Sequence, residues 1–244
     1  MPIRFDILTT FPEMFGTEPP AALAVSIPGR ARRAGLADWH ATDIRAFADN
    51  KHKKTDDRPF GGGPGMVMMC QPLWDAAMAA ESLDPRPATR ILMTPQGRRL
   101  DQPLVEQLAT KPRILIIAGH YEGIDERVIE RLAPLEISVG DYVLSQGELA
   151  AMILIDAITR LIPGVLGDEG SAIADSFSPV GPAGLRLLDH PHYTRPAEWD
   201  GRRIPEILTS GDHARVAQWR LDQAMARTRD RRPDLLPPDE RNPT

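Results

Sequence analysis

Cysteine is almost missing from this chain: Cys70 is the only one in 244 residues. That excludes an internal disulfide and any metal site built from clustered cysteines. No stretch approaches the roughly 18–20 consecutive apolar residues of a membrane-spanning helix. The first residues lack the basic and apolar regions of a signal peptide, so the expected compartment is the cytoplasm. Lysine is scarce too: it supplies four of the 29 basic residues, and Lys51, Lys53 and Lys54 sit together. A net charge of −5 argues against a protein that coats nucleic acid non-specifically, but leaves room for a local basic site. Several common chemistries are also absent. There is no G-x-x-x-x-G-K-[ST] loop, no G-x-G-x-x-G after a strand, no H-E-x-x-H, no C-x-x-C and no G-x-S-x-G.

What is present is an ordinary globular composition, 42% hydrophobic and 26% charged, long enough for one large or two modest domains. Apolar and polar residues alternate from Ile3 to Leu8, which predicts a strand, and Trp39–Ile44 predicts another. A short helix is expected around Ile27–Ala34. The loop Asp49–Gly65 ends in GGGPG, where no regular element survives. Helical periodicity runs over Met66–Glu81. Arg90–Thr94 reads as a strand, Pro95-Gln96-Gly97 as a turn and Leu100–Ala109 as a helix. Ile114–Gly119 is an unbroken apolar run, as in a strand buried on both faces of a parallel sheet. Glu126–Leu132 then reads as a helix and Leu135–Leu144 as the last strand. Strands alternating with helices indicate an α/β open sheet, mostly parallel, with its ligand site beyond the strands' C-terminal ends. Three loops leave such ends: Thr94–Gly97, Gly119–Asp125 and Val139–Gly147. Their Tyr, Glu, Asp, Gln and Gly residues suit a polar small molecule with an aromatic part.

The stretch Ser138–Gly164 stands out. Ser145 and Glu148 have the spacing of a capping box at the start of an apolar helix that Pro163-Gly164 stops. From Leu149 to Ile162 the strongly polar residues are Asp156, Thr159 and Arg160, on one helical stripe. Pro163–Ala183 is poor in large apolar residues and reads as a linker or mobile lid. Beyond it, Pro205–Leu208 and a helix from His213 to about Ala226, carrying Arg215, Arg220 and Arg227, form a small C-terminal domain. The last dozen residues read as frayed.

Taken singly, these features leave alternatives open. GGGPG with Lys51, Lys53, Lys54 and Arg58 presents backbone N–H groups to phosphate, or is a tight turn beside a solvated charge run. Tyr121-Glu122-Gly123 binds a ligand or simply turns the chain. Asp175 caps a turn or acts as a base, and Asp156 and Arg160 pair with each other or face a substrate. His190 and His192 offer two metal ligands with no obvious third, so no metal is assigned.

Together the motifs are far more specific. FPEMF (11–15), DDRPFGGGPGMVM (56–68), PQGRRLDQ (95–102), GHYEGIDERV (119–128), SVGDYVLSQGELAAM (138–152), DAITRLIPGVLG (156–167), DSF (175–177) and HPHYTRP (190–196) occur in one order. The chain resembles the bacterial tRNA (guanine-37-N1)-methyltransferases of the SPOUT class, from about residue 3 to about 229. The resemblance implies a homodimer whose methyltransferase domain (1–162) contains a deep trefoil knot. A linker or lid (163–176) and a small, mainly helical tRNA-binding domain (177–244) follow. It implies methylation of N1 of guanosine 37, beside the anticodon, by S-adenosylmethionine, a modification that maintains the reading frame. Cofactor contacts fall on Thr94, Pro95, Gln96, Gly119, Tyr121, Glu122, Gly123, Ser138, Val139, Gly140, Asp141, Tyr142, Val143, Leu144 and Gly147. Asp175 matches the general base and Arg160 the cation that stabilises charge on O6. tRNA contacts are implied for Lys51, Lys53, Arg58, Asp156, His192 and Arg215. Mg2+ is implied as well, with no ligand named. In this family Gln146 stands where a second glycine is usual, Ala150 where many members have proline, and Phe60 where tyrosine is usual. Three other readings compete: a knotted methyltransferase for another RNA position, a non-catalytic RNA-binding or antitermination-like module on the same fold, and a phosphate-binding metabolic enzyme that uses GGGPG.

Overall fold

The computed structural model describes residues 1–167, 175–180 and 184–241. The middle of the expected linker (168–174), residues 181–183 and the last three residues lie outside them. Contacts divide the chain into two compact units, 1–167 and 168–244.

In the first unit, β1 (Ile3–Thr9), α1 (Ser26–Arg33), β2 (Ala37–Asp43), β3 (Asp56–Asp57), β4 (Val67–Met68) and α2 (Cys70–Ser82) come first. They are followed by β5 (Thr89–Arg99), α3 (Gln102–Ala109), β6 (Arg113–Ala118), β7 (Gly123–Ile124), α4 (Glu126–Leu132), β8 (Leu135–Ser138) and α5 (Gly147–Thr159). The main sheet has five strands in the order β2-β1-β6-β5-β8, every neighbouring pair parallel. All residues of β6 are buried. Ile114, Ile116 and Ala118 join one core with Leu104, Leu108, Leu154, Ile155 and Ile158 of α3 and α5. Leu115 and Ile117 join the other with Leu73, Ala77, Val128 and Leu132 of α2 and α4. The apolar run therefore marks a central strand covered by helices on both faces.

At the strands' N-terminal ends Arg113 and Asp6, each 1% exposed, pair at 2.7 Å. The remaining guanidinium hydrogens go to the carbonyls of Ala80, Glu81, Asp84 and Arg86. This network fixes the end of the sheet opposite the three loops.

Several expected boundaries move. Pro95-Gln96-Gly97 is not a turn, because β5 runs on to Arg99. Its register against β8 slips between Met93 and Arg98, so the prolyl and glycyl residues sit in an irregularity that strand pairing bridges. A Cβ on Gly97 would collide with the backbone nitrogen of Ile137, so this crossing needs glycine. The last strand stops at Ser138, and Val139–Leu144 is loop. The expected capping box is not formed. Gln146 is the N-cap residue and no side chain caps the helix. Glu148 is fully buried and accepts from the Thr9 hydroxyl at 2.5 Å. Helix α5 ends at Thr159, leaving Arg160 as its C-cap residue. Thr159 is also buried, donating to the Ile155 carbonyl, so the expected polar stripe keeps only Asp156 and Arg160 off the core. The expected Met66 start of the second helix moves to Cys70, because Val67–Met68 pairs with β3 and β7 instead.

The second unit contains two short hairpins, β9 (Pro179–Val180) with β10 (Leu185–Arg186) and β11 (Glu198–Trp199) with β12 (Arg202–Arg203). Helix α6 (His213–Arg231) runs five residues past the expected end, and α7 (Pro238–Arg241) follows. The chain is not frayed up to Arg241: Leu236 is buried against α6, and Arg229 donates to the Glu240 carbonyl. No helix among the described residues is long and apolar enough to cross a membrane.

Candidate functional site

The Gly119–Asp125 and Val139–Gly147 loops, beyond the C-terminal ends of β6 and β8, gather with the Thr94–Gly97 irregularity of β5 around a cavity of about 600 Å³. Backbone contacts hold them there. Gly147 N–H donates to the Gly119 carbonyl at 2.9 Å, and a Cβ on Gly147 would stand 2.7 Å from the Gly119 nitrogen. The 119–125 loop is stitched to the β4 segment by Glu122 N–H to Met66 and Asp125 N–H to Met68, both 3.0 Å. Asp125 then caps α4, accepting from Arg127 N–H and from its guanidinium. Arg127 first, with a smaller contribution from Cys70, holds the Asp125 carboxyl well below the usual range, and burial followed by Asp125 raises the Cys70 thiol. In the third loop the Ser138 hydroxyl donates to the Gly140 carbonyl and accepts from Gly140 N–H, shaping the turn over which Tyr142 lies.

Of the residues expected to hold a cofactor, Thr94, Pro95, Gln96, Gly119, Tyr121, Glu122, Gly123, Ser138, Val139, Gly140, Tyr142, Val143, Leu144 and Gly147 line this cavity. Asp141 does not; it is on the exposed side of the turn. Sequence reasoning missed His120, Glu126, Glu136 and Gln146, which also line it. His120 and Gln146 lie within the chosen loops, and Glu126 and Glu136 within about three residues of them, which was the available signal. Val143 and Tyr142 are half or more exposed at the rim, and Phe60 on the glycine loop is fully exposed. Burial and then the Asp56 carboxylate raise the Tyr121 phenol, so its hydroxyl stays a donor through neutral pH. At the ends of β1 and β6 and the start of α5, three buried atoms find no hydrogen-bond partner among the described residues: Thr10 Oγ1, His120 Nδ1 and Glu148 Oε2. This side keeps hydrogen-bonding capacity in reserve.

Lys51, Lys53 and Arg58 are exposed on the 49–65 loop, where Lys53 Nζ donates to the Ala48 carbonyl. Asp156 is exposed and Arg160 half-buried at the end of α5.

In the second unit Asp175 is exposed and its neighbours are pinned. Phe177 N–H donates to Leu187 O at 2.7 Å, and Asp189 N–H to Ser176 Oγ at 2.9 Å. Leu188 N–H donates to Thr228 Oγ1 of α6, and Arg227 of α6 donates to the Asp189 carbonyl. The serine and phenylalanine of DSF thus hold the aspartate's segment to the unit's core. His192 pairs with Asp189 and lines a second cavity of about 470 Å³ with His190, Tyr193, Trp219 and Arg220. Arg215 is exposed near the start of α6. Asp189 is the third donor that the histidine pair lacked in sequence. It was passed over because it belongs to no histidine spacing.

A family model described as tRNA (Guanine-1)-methyltransferase TrmD matches residues 3–238. The chain belongs to this family. Proteins named tRNA (guanine-N(1)-)-methyltransferase share about half its residues. One from Rhodopirellula baltica is 49% identical over 241 residues, covering 98% of this chain and 96% of its own length. One from Ruminiclostridium cellulolyticum is 49% identical over 235 residues, with 96% of each chain covered. One from Halorhodospira halophila is 53% identical over 233 residues, covering 96% of this chain and 84% of its own. Membership of this family implies S-adenosylmethionine as the methyl donor.

Proposed function

We propose that this chain transfers a methyl group from S-adenosylmethionine to N1 of guanosine 37 in tRNA. The observation that carries this reading is the nearly full-length family match in a chain whose expected cofactor loops meet at one cavity. The cavity's volume falls within the roughly 300–1,000 Å³ of small-molecule sites. Its backbone groups, with Tyr121, Glu122, Gln96 and Ser138, suit a ligand with an adenine, a ribose and a charged amino-acid tail. When bound, S-adenosylmethionine supplies an electrophilic methyl group on a sulfonium.

Guanine N1 is a nucleophile only after losing its proton. In this proposal Asp175 accepts that proton, and Arg160 stabilises the negative charge that grows on O6. Lys51, Lys53, Arg58, Asp156, His192 and Arg215 contact the tRNA, whose unpaired anticodon-loop base can be splayed into a pocket. The division of labour follows the expected boundaries: a knotted catalytic domain at 1–162, a linker at 163–176 and a tRNA-binding domain at 177–244. The close crossings at Gly97 and Gly147 support a knot through the three loops. A homodimer with the active site at the subunit interface is supported by α5. Leu149 and Ile153, one turn apart, are 40% and 45% exposed on that helix. The donors do not fit the implied Mg2+: the one group of three among the described residues has two imidazoles, where magnesium prefers oxygen. No step is assigned to magnesium.

Unmodified tRNA bearing G37 gains label from methyl-labelled S-adenosylmethionine, and the same transcript carrying A37 does not. Equal labelling of both would move the activity to another RNA position, and labelling of neither would favour the non-catalytic module.

A further inference from the structure

Asp189, His190 and His192 sit on a short segment at the edge of the 470 Å³ cavity. Each offers one donor atom, and the three atoms lie within 4.8 Å of one another. The two imidazoles are stacked at a tilt, with centroids 4.5 Å apart. His190 Nδ1 faces the Pro191 carbonyl at 3.1 Å. A carbonyl only accepts, so this contact places the hydrogen on Nδ1 and leaves the Nε2 lone pair toward Asp189 Oδ1, 3.7 Å away. Metal-binding histidines are oriented by this kind of outer contact.

The carboxylate is also held in place. Asp189 N–H is bonded to Ser176 Oγ, its carbonyl to Arg227, and Oδ1 to the His190 N–H at 2.7 Å. His192 Nε2 lies 2.7 Å from Asp189 Oδ2, so a proton bridges the space that a cation would take. Bonds of about 2.0–2.1 Å in a tetrahedral site put ligand atoms about 3.3 Å apart. The His192 ring, 70% exposed, can retreat that small distance without disturbing a core.

We propose that Asp189, His190 and His192 bind a divalent cation of the Zn2+ class, with the remaining coordination open to water. Two imidazoles and one carboxylate select Zn2+, Co2+ or Ni2+ over the hard cations Mg2+ and Ca2+. Because the Asp189 backbone holds Ser176, an occupied site braces the segment that carries Asp175. The assignment stands on donor geometry and does not depend on the proposed methyl transfer.

The test uses the full-length chain without a purification tag, stripped with chelator and titrated with Co2+. One equivalent binds with visible d–d absorption, Zn2+ displaces it and millimolar Mg2+ does not. His190→Gln and His192→Gln each weaken binding by more than the roughly 10–100-fold that loss of an outer partner costs, with circular dichroism confirming that they fold. His213→Gln, in the same unit but outside the cluster, leaves binding unchanged. Failure to saturate below about 0.1 mM, an affinity worth only about 5–6 kcal/mol, would overturn the proposal. Co2+ binding that survives both cluster variants would do the same.

Discussion

Asp175 and Arg160 carry the chemistry in the proposed reaction, and their surroundings differ. Asp175 is an exposed carboxylate on a segment whose next two residues are tied to the unit's core. Exposure lets it reach a base, while the ties limit the directions in which it points. Replacing it with Ala should therefore leave S-adenosylmethionine binding unchanged and lower single-turnover methylation by about 10²–10⁴-fold. Calorimetry paired with rapid quench separates the two, and undiminished turnover would remove Asp175 from its role. Neither residue's function was legible from local sequence. An aspartate before a serine more often caps a turn, and an Asp156/Arg160 pair at helical spacing more often satisfies itself. Only the ordered set of motifs singled them out. Glu148 shows the opposite failure. Its spacing from Ser145 matched a cap, but Thr9, distant in sequence, supplies its actual partner.

At the scale of elements, the alternation of strands and helices and the doubly buried β6 were plain in the sequence, since hydrophobic period reports burial directly. The turn at Pro95-Gln96-Gly97 was misread for a physical reason. Proline and glycine mark turns, but they are equally compatible with a strand irregularity and a tight chain crossing. Such crossings also set how α5 meets the cavity. Gly147→Ala places a methyl against the Gly119 backbone. It should cost about 1–3 kcal/mol of stability and weaken S-adenosylmethionine binding. Gly167→Ala, away from the cavity and with nothing within 4 Å of its Cβ, should do neither. Urea unfolding and cofactor titration of the two variants make the comparison.

The start of α4 adds a pH dependence. Arg127 depresses the folded-state Asp125 carboxyl. Its stabilisation is thus complete above the unfolded value of about 3.9 and disappears as pH falls through the lower folded value. Asp125→Ala should cost about 1 kcal/mol at pH 7, as loss of a cap. The difference from the parent protein should shrink below pH 4 in a urea series, whereas a difference that grew with acid would contradict this linkage.

On the scale of the whole molecule, the buried Arg113–Asp6 network secures one end of the sheet and leaves the other for chemistry. The cavity belongs to one compact unit and Asp175 to the other, and in the proposed enzyme the two come together across a homodimer. The proposed knot and dimer lie beyond local sequence reasoning, because periodicity records which faces are buried and says nothing about threading or about what meets the exposed Leu149 and Ile153.

The central claim is a methyl-transfer site shared between subunits, with the cavity from one chain and Asp175 from the other. Its most direct test mixes two inactive proteins, Asp175→Ala and a cavity-filling Gly123→Trp shown not to bind S-adenosylmethionine, and allows their subunits to exchange. Half of the dimers then become mixed, and each mixed dimer has one complete site. The account predicts recovery of about a quarter of the parent's G37 methylation, by the symmetry of a two-fold dimer. No recovery after verified exchange would place both functions in a single chain and contradict it.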